Sequence, residues 1–296
     1  MRKYFGEFGL LLTAIIWGSG FVASSISLNA YTPYQVTAFR FLIGAVFLYV
    51  LFYKKLQFHR AVVKKGIVLG SILYLAFLLQ TVGLMYTTPS KNAFLTAVNV
   101  VIVPFIALFF NNKKVDFFEF IGAFLAVIGV GVLSLQFQSG INFGDLLTLF
   151  CAVAFAFHIF FTSEFVKDED TMELTIVQLA TAATFGLIVV AFMGEWQFSV
   201  NTEEWFSVFY LGIFSTSIAY FLQTASQKIV SETKTAIILS TESLWGMIFS
   251  VLLLKELVSL RMVIGAMLIL LSIIISETGW KFIKKQQLSS GKVNRM

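Results

Sequence analysis

Charge is what this chain has least of. Only 12% of its 296 residues are Asp, Glu, Lys or Arg, about half the share of an ordinary soluble domain, where roughly a quarter are charged. That shortage excludes a soluble globule with a solvated surface all round. Cysteine is nearly missing as well: Cys151 stands alone inside an apolar stretch, so no internal disulfide is available. Histidine occurs twice, as His59 and His158. There is no His-Glu-x-x-His, no Gly-x-Ser-x-Gly and no phosphate-cradling Gly-rich loop with Lys, which removes the usual metalloprotease, serine-hydrolase and nucleotide-binding readings. No metal and no cofactor is expected. The net charge of +5 does not point to nucleic acid, because the basic residues sit in short stretches between long apolar runs.

Apolar residues make up 58% of the chain, and mean hydropathy is +0.87. They come in blocks of about twenty, the length a helix needs to cross a hydrocarbon core of roughly 30 Å. The expected fold is an all-α polytopic membrane protein. Its spans read as Phe8–Leu28, Pro33–Tyr53, Gly66–Met85, Asn92–Phe110, Phe117–Leu135, Phe143–Phe165, Met172–Met193, Trp205–Gln227, Thr235–Leu254 and Val258–Ser276. The first follows Arg2 and Lys3 as a secretory signal would, but it is too long for an h-region and lacks a small-x-small cleavage site. It is read as a true helix.

The chain repeats itself. At an offset of 143, Phe77-Leu78-Leu79-Gln80-Thr81 falls on Tyr220-Phe221-Leu222-Gln223-Thr224, Lys91 on Lys234 and Ile121-Gly122-Ala123 on Ile264-Gly265-Ala266, without a gap. At an offset of 138, Gly6-Glu7 falls on Gly144-Asp145 and Arg40 on Gln178. Two copies of one unit are implied, over residues 1–137 and 138–280, followed by a basic tail over 281–296 that is expected to be cytoplasmic and disordered. Five spans per copy is an odd number, so the second copy crosses in the opposite sense. Ten transmembrane helices in two inverted-topology repeats result.

Lys and Arg placement sets the orientation. With the amino terminus inside, Arg2, Lys3, Lys54, Lys55, Arg60, Lys64, Lys65, Lys113, Lys114, Lys167, Lys228, Lys234 and the tail residues Lys281, Lys284, Lys285, Lys292 and Arg295 lie on one side. Only Lys91, Lys255 and Arg261 lie on the other. Both termini are therefore expected in the cytoplasm, with the protein in the cytoplasmic (inner) membrane of a cell. The weak loop is 167–170, which is mostly acidic.

Several motifs, taken in order, resemble a known family. They are Trp17-Gly18-Ser19-Gly20-Phe21 in the first span, and Pro33 with Arg40-Phe41 in the second. Asn92-Ala93-Phe94-Leu95 before Pro104 marks the fourth, Gly144-Asp145-Leu146-Leu147 with His158 the sixth, and Glu242 with Glu256 the ninth. In this the chain resembles the drug/metabolite transporter superfamily, in the branch built from two EamA domains, over roughly residues 8–277. Ser243 departs from that pattern, since many members carry Pro after the mid-helix Glu. The resemblance implies ten helices, the first four of each repeat around a central cavity, and movement of small organic metabolites, often outward.

An ionisable group in the bilayer costs roughly 2.5–3.5 kcal/mol on insertion scales and needs a reason. Glu242 lies eight residues beyond Lys234, or about 12 Å at 1.5 Å per residue, and its repeat partner is Asn99. Both are expected near mid-depth, where an inverted-repeat carrier places its substrate. Glu242 would bind an amine or carry a proton; the competing reading is a structural hydrogen bond between helices. His158 is read first as a neutral imidazole hydrogen-bonded between helices, with a proton relay or substrate contact as the second reading, and is the second proton-coupling candidate. Arg40 is read as an anchor that snorkels or bonds nearby carbonyls, rather than a substrate contact.

Polar stripes complete the candidate site. Thr216, Tyr220, Gln223 and Gln227 share one helical face, as do Tyr74, Phe77 and Gln80 or Thr81, and Asn92, Thr96 and Asn99. With Trp17 and Trp245 these could line a wet cavity, although any single aromatic is more readily explained by packing. Gly122, Gly129, Gly131 and Gly265 with Ala266 would allow close helix approach, inside the fold or between protomers. The expected partners are a small-molecule substrate and the lipid bilayer, with no nucleic acid, in a monomer or a homodimer. A secondary carrier is expected, not an enzyme. Export of amino acids or related compounds is the first reading, uptake the second and intramembrane catalysis a distant third. Without a nucleotide-binding motif, ATP hydrolysis on this chain would not drive it.

Overall fold

The computed structural model describes residues 2–111, 117–136, 140–196, 202–230, 235 and 238–275. The tail from residue 281, and Lys113, Lys114 and Lys234, lie outside the described residues. The fold is helical: α1 (Arg2–Ser27), α2 (Pro33–Phe52), α3 (Arg60–Leu84), α4 (Pro89–Ala97), α5 (Asn99–Asn111) and α6 (Phe117–Ser134) make the first half. A two-residue antiparallel pair, Leu135–Gln136 with Gly140–Ile141, precedes α7 (Phe143–Phe165), α8 (Thr171–Met193), α9 (Thr202–Tyr210) and α10 (Ala219–Gln227). Next come α11 (Glu242–Leu254) and α12 (Leu260–Ile275). Among the described residues seven helices are long and apolar enough to cross a membrane, and Phe120–Leu133, Ile238–Leu254 and Leu260–Ile275 are shorter apolar helices.

Local chemistry sets the helix starts. Thr32 accepts from Gln35 N while Thr32 N donates to the Gln35 side chain, a capping box ahead of Pro33. Thr88 caps α4 ahead of Pro89, Asn142 caps α7 and Asp170 caps α8. At its far end α8 stops on Gly194, whose φ of 68° is the left-handed conformation a glycine adopts without strain.

Two spans expected to be continuous are not. The fourth breaks at Val98 and the ninth at Thr241, and the two breaks share one hydrogen-bond pattern. Val98 N bonds Leu95 O and Val101 N bonds Val98 O; 143 residues on, Thr241 N bonds Ile238 O and Leu244 N bonds Thr241 O. Each is a tightening to i→i+3 spacing, which keeps backbone groups satisfied where lipid supplies no partner. No proline follows Glu242, so hydroxyls do the work there: Thr241 Oγ1 donates to Ile238 O and Ser243 Oγ to Ser240 O. In the first copy Pro104 lacks the donor that would reach Val100 O. Glu242 and Asn99 are therefore the first residues of α11 and α5, not mid-helix residues.

A third departure has no twin. Between α9 and α10, Leu211–Ile218 form a wider π-helical stretch, marked by Ser217 Oγ donating to Gly212 O five residues back. Its counterpart, 68–75, is ordinary α-helix within α3.

The halves interleave. α1 packs on α10 and α11, α2 on α8, α3 on α7 and α8, and α4 on α11. The largest core cluster holds Phe41, Leu73, Phe77, Cys151, Phe155, Leu179 and Tyr220 from both halves. α1 approaches α11 closely because Gly18 has no side chain: a Cβ there would strike Trp245 Cβ and Gly246 N. α6 meets α12 in the same way, Gly129 against Ile269 and Gly265 against Leu133, so this small-residue contact lies within the chain.

Candidate functional site

Where the halves meet they line an open cavity whose empty space, counted together with the solvent at its mouth, is about 570 Å³. Of the predicted residues, Trp17, Gln80, Thr96, Asn99, His158, Tyr220, Gln223 and Glu242 line it. Tyr74, Thr216 and Trp245 do not. Tyr74 faces α8, its ring stacked on Phe185 with centroids 6.0 Å apart. Trp245 is drawn to the crossing with Gly18. Thr216 stands behind the wall, accepting from Arg40.

The wall is aromatic around a polar floor. Trp17 lies 5.1 Å from Tyr220 between centroids, and Phe77 meets Phe41, Phe155 and Tyr220 edge-on at 5.3, 5.1 and 6.0 Å. Trp17 Nε1 donates to Ser215 O at 3.0 Å, locking α1 to the π stretch. Gln80 Nε2 donates to Thr96 Oγ1 at 3.1 Å. His158, 1% exposed, donates from Nε2 to Gln178 Oε1 at 2.8 Å and sets its ring edge against Tyr220.

Other polar groups at the cavity lack partners. Glu242 as a residue is 6% exposed, and no described residue bonds its carboxyl. The predicted inter-helix hydrogen bond is absent among the described residues. Asn99 Oδ1 and both polar atoms of the Gln223 side chain are buried and unpartnered in the same way. Such groups are costly in an apolar setting unless water or a ligand meets them.

Arg40 departs from expectation. It is 2% exposed and lines the cavity, neither snorkelling nor bonding carbonyls. Nε donates to Thr216 Oγ1 at 3.1 Å and Nη2 to Ser215 Oγ at 3.2 Å, both on the π stretch, and the guanidinium carbon lies 4.1 Å from the Phe77 centroid. Stripe reasoning also missed Ser24, Leu84, Phe155, Ile159 and Ser215 on the wall. Gln227, the last member of the eighth-span stripe, turns away instead, donating to Ile159 O at 3.3 Å and Ser163 Oγ at 2.9 Å.

Ionic clusters close both ends of the bundle. At the end where α1 starts, Glu169 pairs with Lys65 at 2.7 Å and His59 at 2.8 Å, and Lys228 donates to Glu169 O at 3.2 Å. The Lys65 hydrogen bond is the main influence holding the Glu169 carboxyl below its ordinary value of 4.5, against an opposing push from burial and with further help from His59. Much of the acidic charge in the weak 167–170 loop is thus answered locally. At the opposite end Lys91 pairs with Asp145 at 3.4 Å, and Glu256 accepts from Ser250 and from Ser90 Oγ and N. No cluster of three or more metal-ligating side chains occurs among the described residues.

Comparison with known proteins gives a consistent result. The model of the EamA-like transporter family matches residues 4–135 and again 142–278. An uncharacterized transporter of Archaeoglobus fulgidus is 32% identical over 93% of this chain and 86% of its own length. The uncharacterized transporter YyaM of Bacillus subtilis is 26% identical over 90% and 91%. A solved crystal structure superposes with a TM-score of 0.69 at 18% identity, over 90% of this chain and 94% of that one. It bears on the fold alone.

Proposed function

The chain belongs to the EamA-like transporter family, and from that premise we propose that it is a secondary carrier of small organic metabolites, working by alternating access in the cytoplasmic membrane. Its ten transmembrane helices form two inverted-topology repeats of five, over 1–137 and 138–280, with both termini in the cytoplasm. The cavity is the substrate site and export is its direction, with amino acids or related compounds as cargo.

One observation carries this reading. Glu242 is a buried carboxyl on the cavity wall that bonds no described residue, and it starts a helix at a break duplicated in the other copy at Asn99. Interrupted helices at equivalent positions of two repeats are how such carriers build a mid-membrane site. A carboxyl held there without a structural partner is free to take an amine or a proton in turn with substrate. His158 is the second candidate for the proton path, although its bond to Gln178 fixes it more firmly.

The test is transport in sealed vesicles with and without an imposed pH gradient. A gradient-dependent rate in the wild type that Glu242→Gln abolishes supports coupling; equal rates under both conditions would sink it. Orientation has its own test in single cysteines at Lys65 and Lys91, with the buried Cys151 as background. Labelling of both from one side of intact cells overturns the topology.

A further inference from the structure

Arg40 is a buried cation without an anion. It carries a positive charge at neutral pH. No carboxylate among the described residues lies within ion-pairing distance, although Glu242 shares the same cavity. Two hydroxyls and the Phe77 face meet part of its requirement; no described residue accepts from Nη1. The equivalent position in the other copy, Gln178, is neutral and its carbonyl is taken by His158. A structural post would not need a charge there, and burying one unpaired is expensive.

The way Arg40 is held suits a ligand. Ser215 and Thr216, brought to it by the wider π turn, take Nε and Nη2, which fixes the plane of the fork. Phe77 covers one face. What remains open is the cavity side, where a planar oxyanion can take paired N–H bonds. Arg40 comes from the first copy and Glu242 from the second, so the cavity has a cationic and an acidic pole on opposite halves, with Trp17, Phe77, Phe155 and Tyr220 forming the wall.

We propose that Arg40 is a substrate-binding residue: the carried solute bears a carboxylate that docks on its guanidinium, with the apolar part against the aromatic wall. This rests on reading the cavity as the substrate site. Arg40 then sets specificity, and Glu242 responds to the cationic end of a zwitterion.

The experiment follows thermal unfolding of the detergent-purified full chain at pH 7 against rising 3-phenylpropanoate, its neutral isostere 3-phenylpropanamide, 2-phenylethylamine and phenylalanine. A ligand that binds the folded state raises the melting temperature according to its occupancy. The wild type should bind 3-phenylpropanoate at least tenfold more tightly than the amide. Arg40→Gln should weaken 3-phenylpropanoate and phenylalanine at least tenfold while leaving the amine response, and Glu242→Gln should do the reverse to the amine. If Arg40→Gln does not fold, the comparison of acid with amide in the wild type decides alone. Equal binding of acid and amide, or undiminished acid binding by Arg40→Gln, overturns the proposal. An amine response that needs Glu242, with silent carboxylates, overturns it while the carrier reading stands. Silence of all four probes in the wild type counts against both.

Discussion

Trp17 and Phe155, Gly20 and His158, Phe21 and Ile159, Phe77 and Tyr220, Gln80 and Gln223, and Asn99 and Glu242 are pairs related by the fixed offsets of 138 or 143 residues. All of them line the cavity. Beyond this matched belt the two copies part. Ser24, Thr81, Leu84 and Thr96 of the first copy are on the wall, whereas their counterparts Thr162, Thr224, Gln227 and Leu239 are not. Leu84 is the last residue of α3 and Ser24 lies three residues from the end of α1, so the cavity extends toward the end opposite the start of α1. At the other end Gln227 is bonded across to α7, and Lys228 to Glu169 O. What the copies share is a matched middle; where they differ lies the end of the bundle toward which the cavity extends.

The most severe break of that comparison should come from its one charged pair member. In vesicles, Glu242→Gln is expected to cut gradient-driven transport about 100-fold, near 2.7 kcal/mol of barrier, whereas Asn99→Ala costs about tenfold or less. Equal losses would mean that the two positions do the same job. Next comes the helix crossing. Gly18 is replaced in the second copy by Ala156, which is fully buried, but a Cβ at 18 would strike Trp245 and Gly246. Gly18→Ala should therefore destabilise by about 1–3 kcal/mol, read as a lower melting temperature, with unchanged melting as the contrary result.

The ionic end gives a smaller, pH-dependent effect. Glu169 has a depressed folded value, so its contribution to stability is present above 4.5 and is lost as pH falls through that folded value. Between pH 7 and pH 4 the wild type should lose more melting temperature than Glu169→Gln, and parallel curves would remove the claim. Smallest of all is Lys167→Ala. Its 2.7 Å pair with Glu164 is exposed, so about 0.5 kcal/mol or less is expected in denaturant titration.

Much of this was legible in sequence because polarity stands out against an apolar background. Glu242, Asn99, Gln80, Gln223, Thr96, His158 and Tyr220 were singled out on that ground and Trp17 as an aromatic, and the repeat located their partners. Thr216 was misplaced on the wall because a helical stripe assumes regular turns and a neutral neighbour, whereas Tyr74 is drawn to Phe185 and Trp245 to the crossing with Gly18. The π stretch shifts the phase of the eighth span, and nothing in Leu211–Ile218 announces it. The breaks at Val98 and Thr241 were equally silent, since no glycine or proline marks either residue. Arg40 was visible as a charge but not as a site. Its acceptors, Ser215 and Thr216, lie 175 and 176 residues away, a distance across which no periodicity reaches.

The single π stretch has an energetic consequence. In a carrier whose repeats trade roles, two identical halves would make the inward-open and outward-open states mirror images of equal free energy. On the proposed carrier reading, a wide turn in only one of two equally numbered spans would lift that degeneracy and give the empty protein a preferred resting side before any gradient or cargo acts on it.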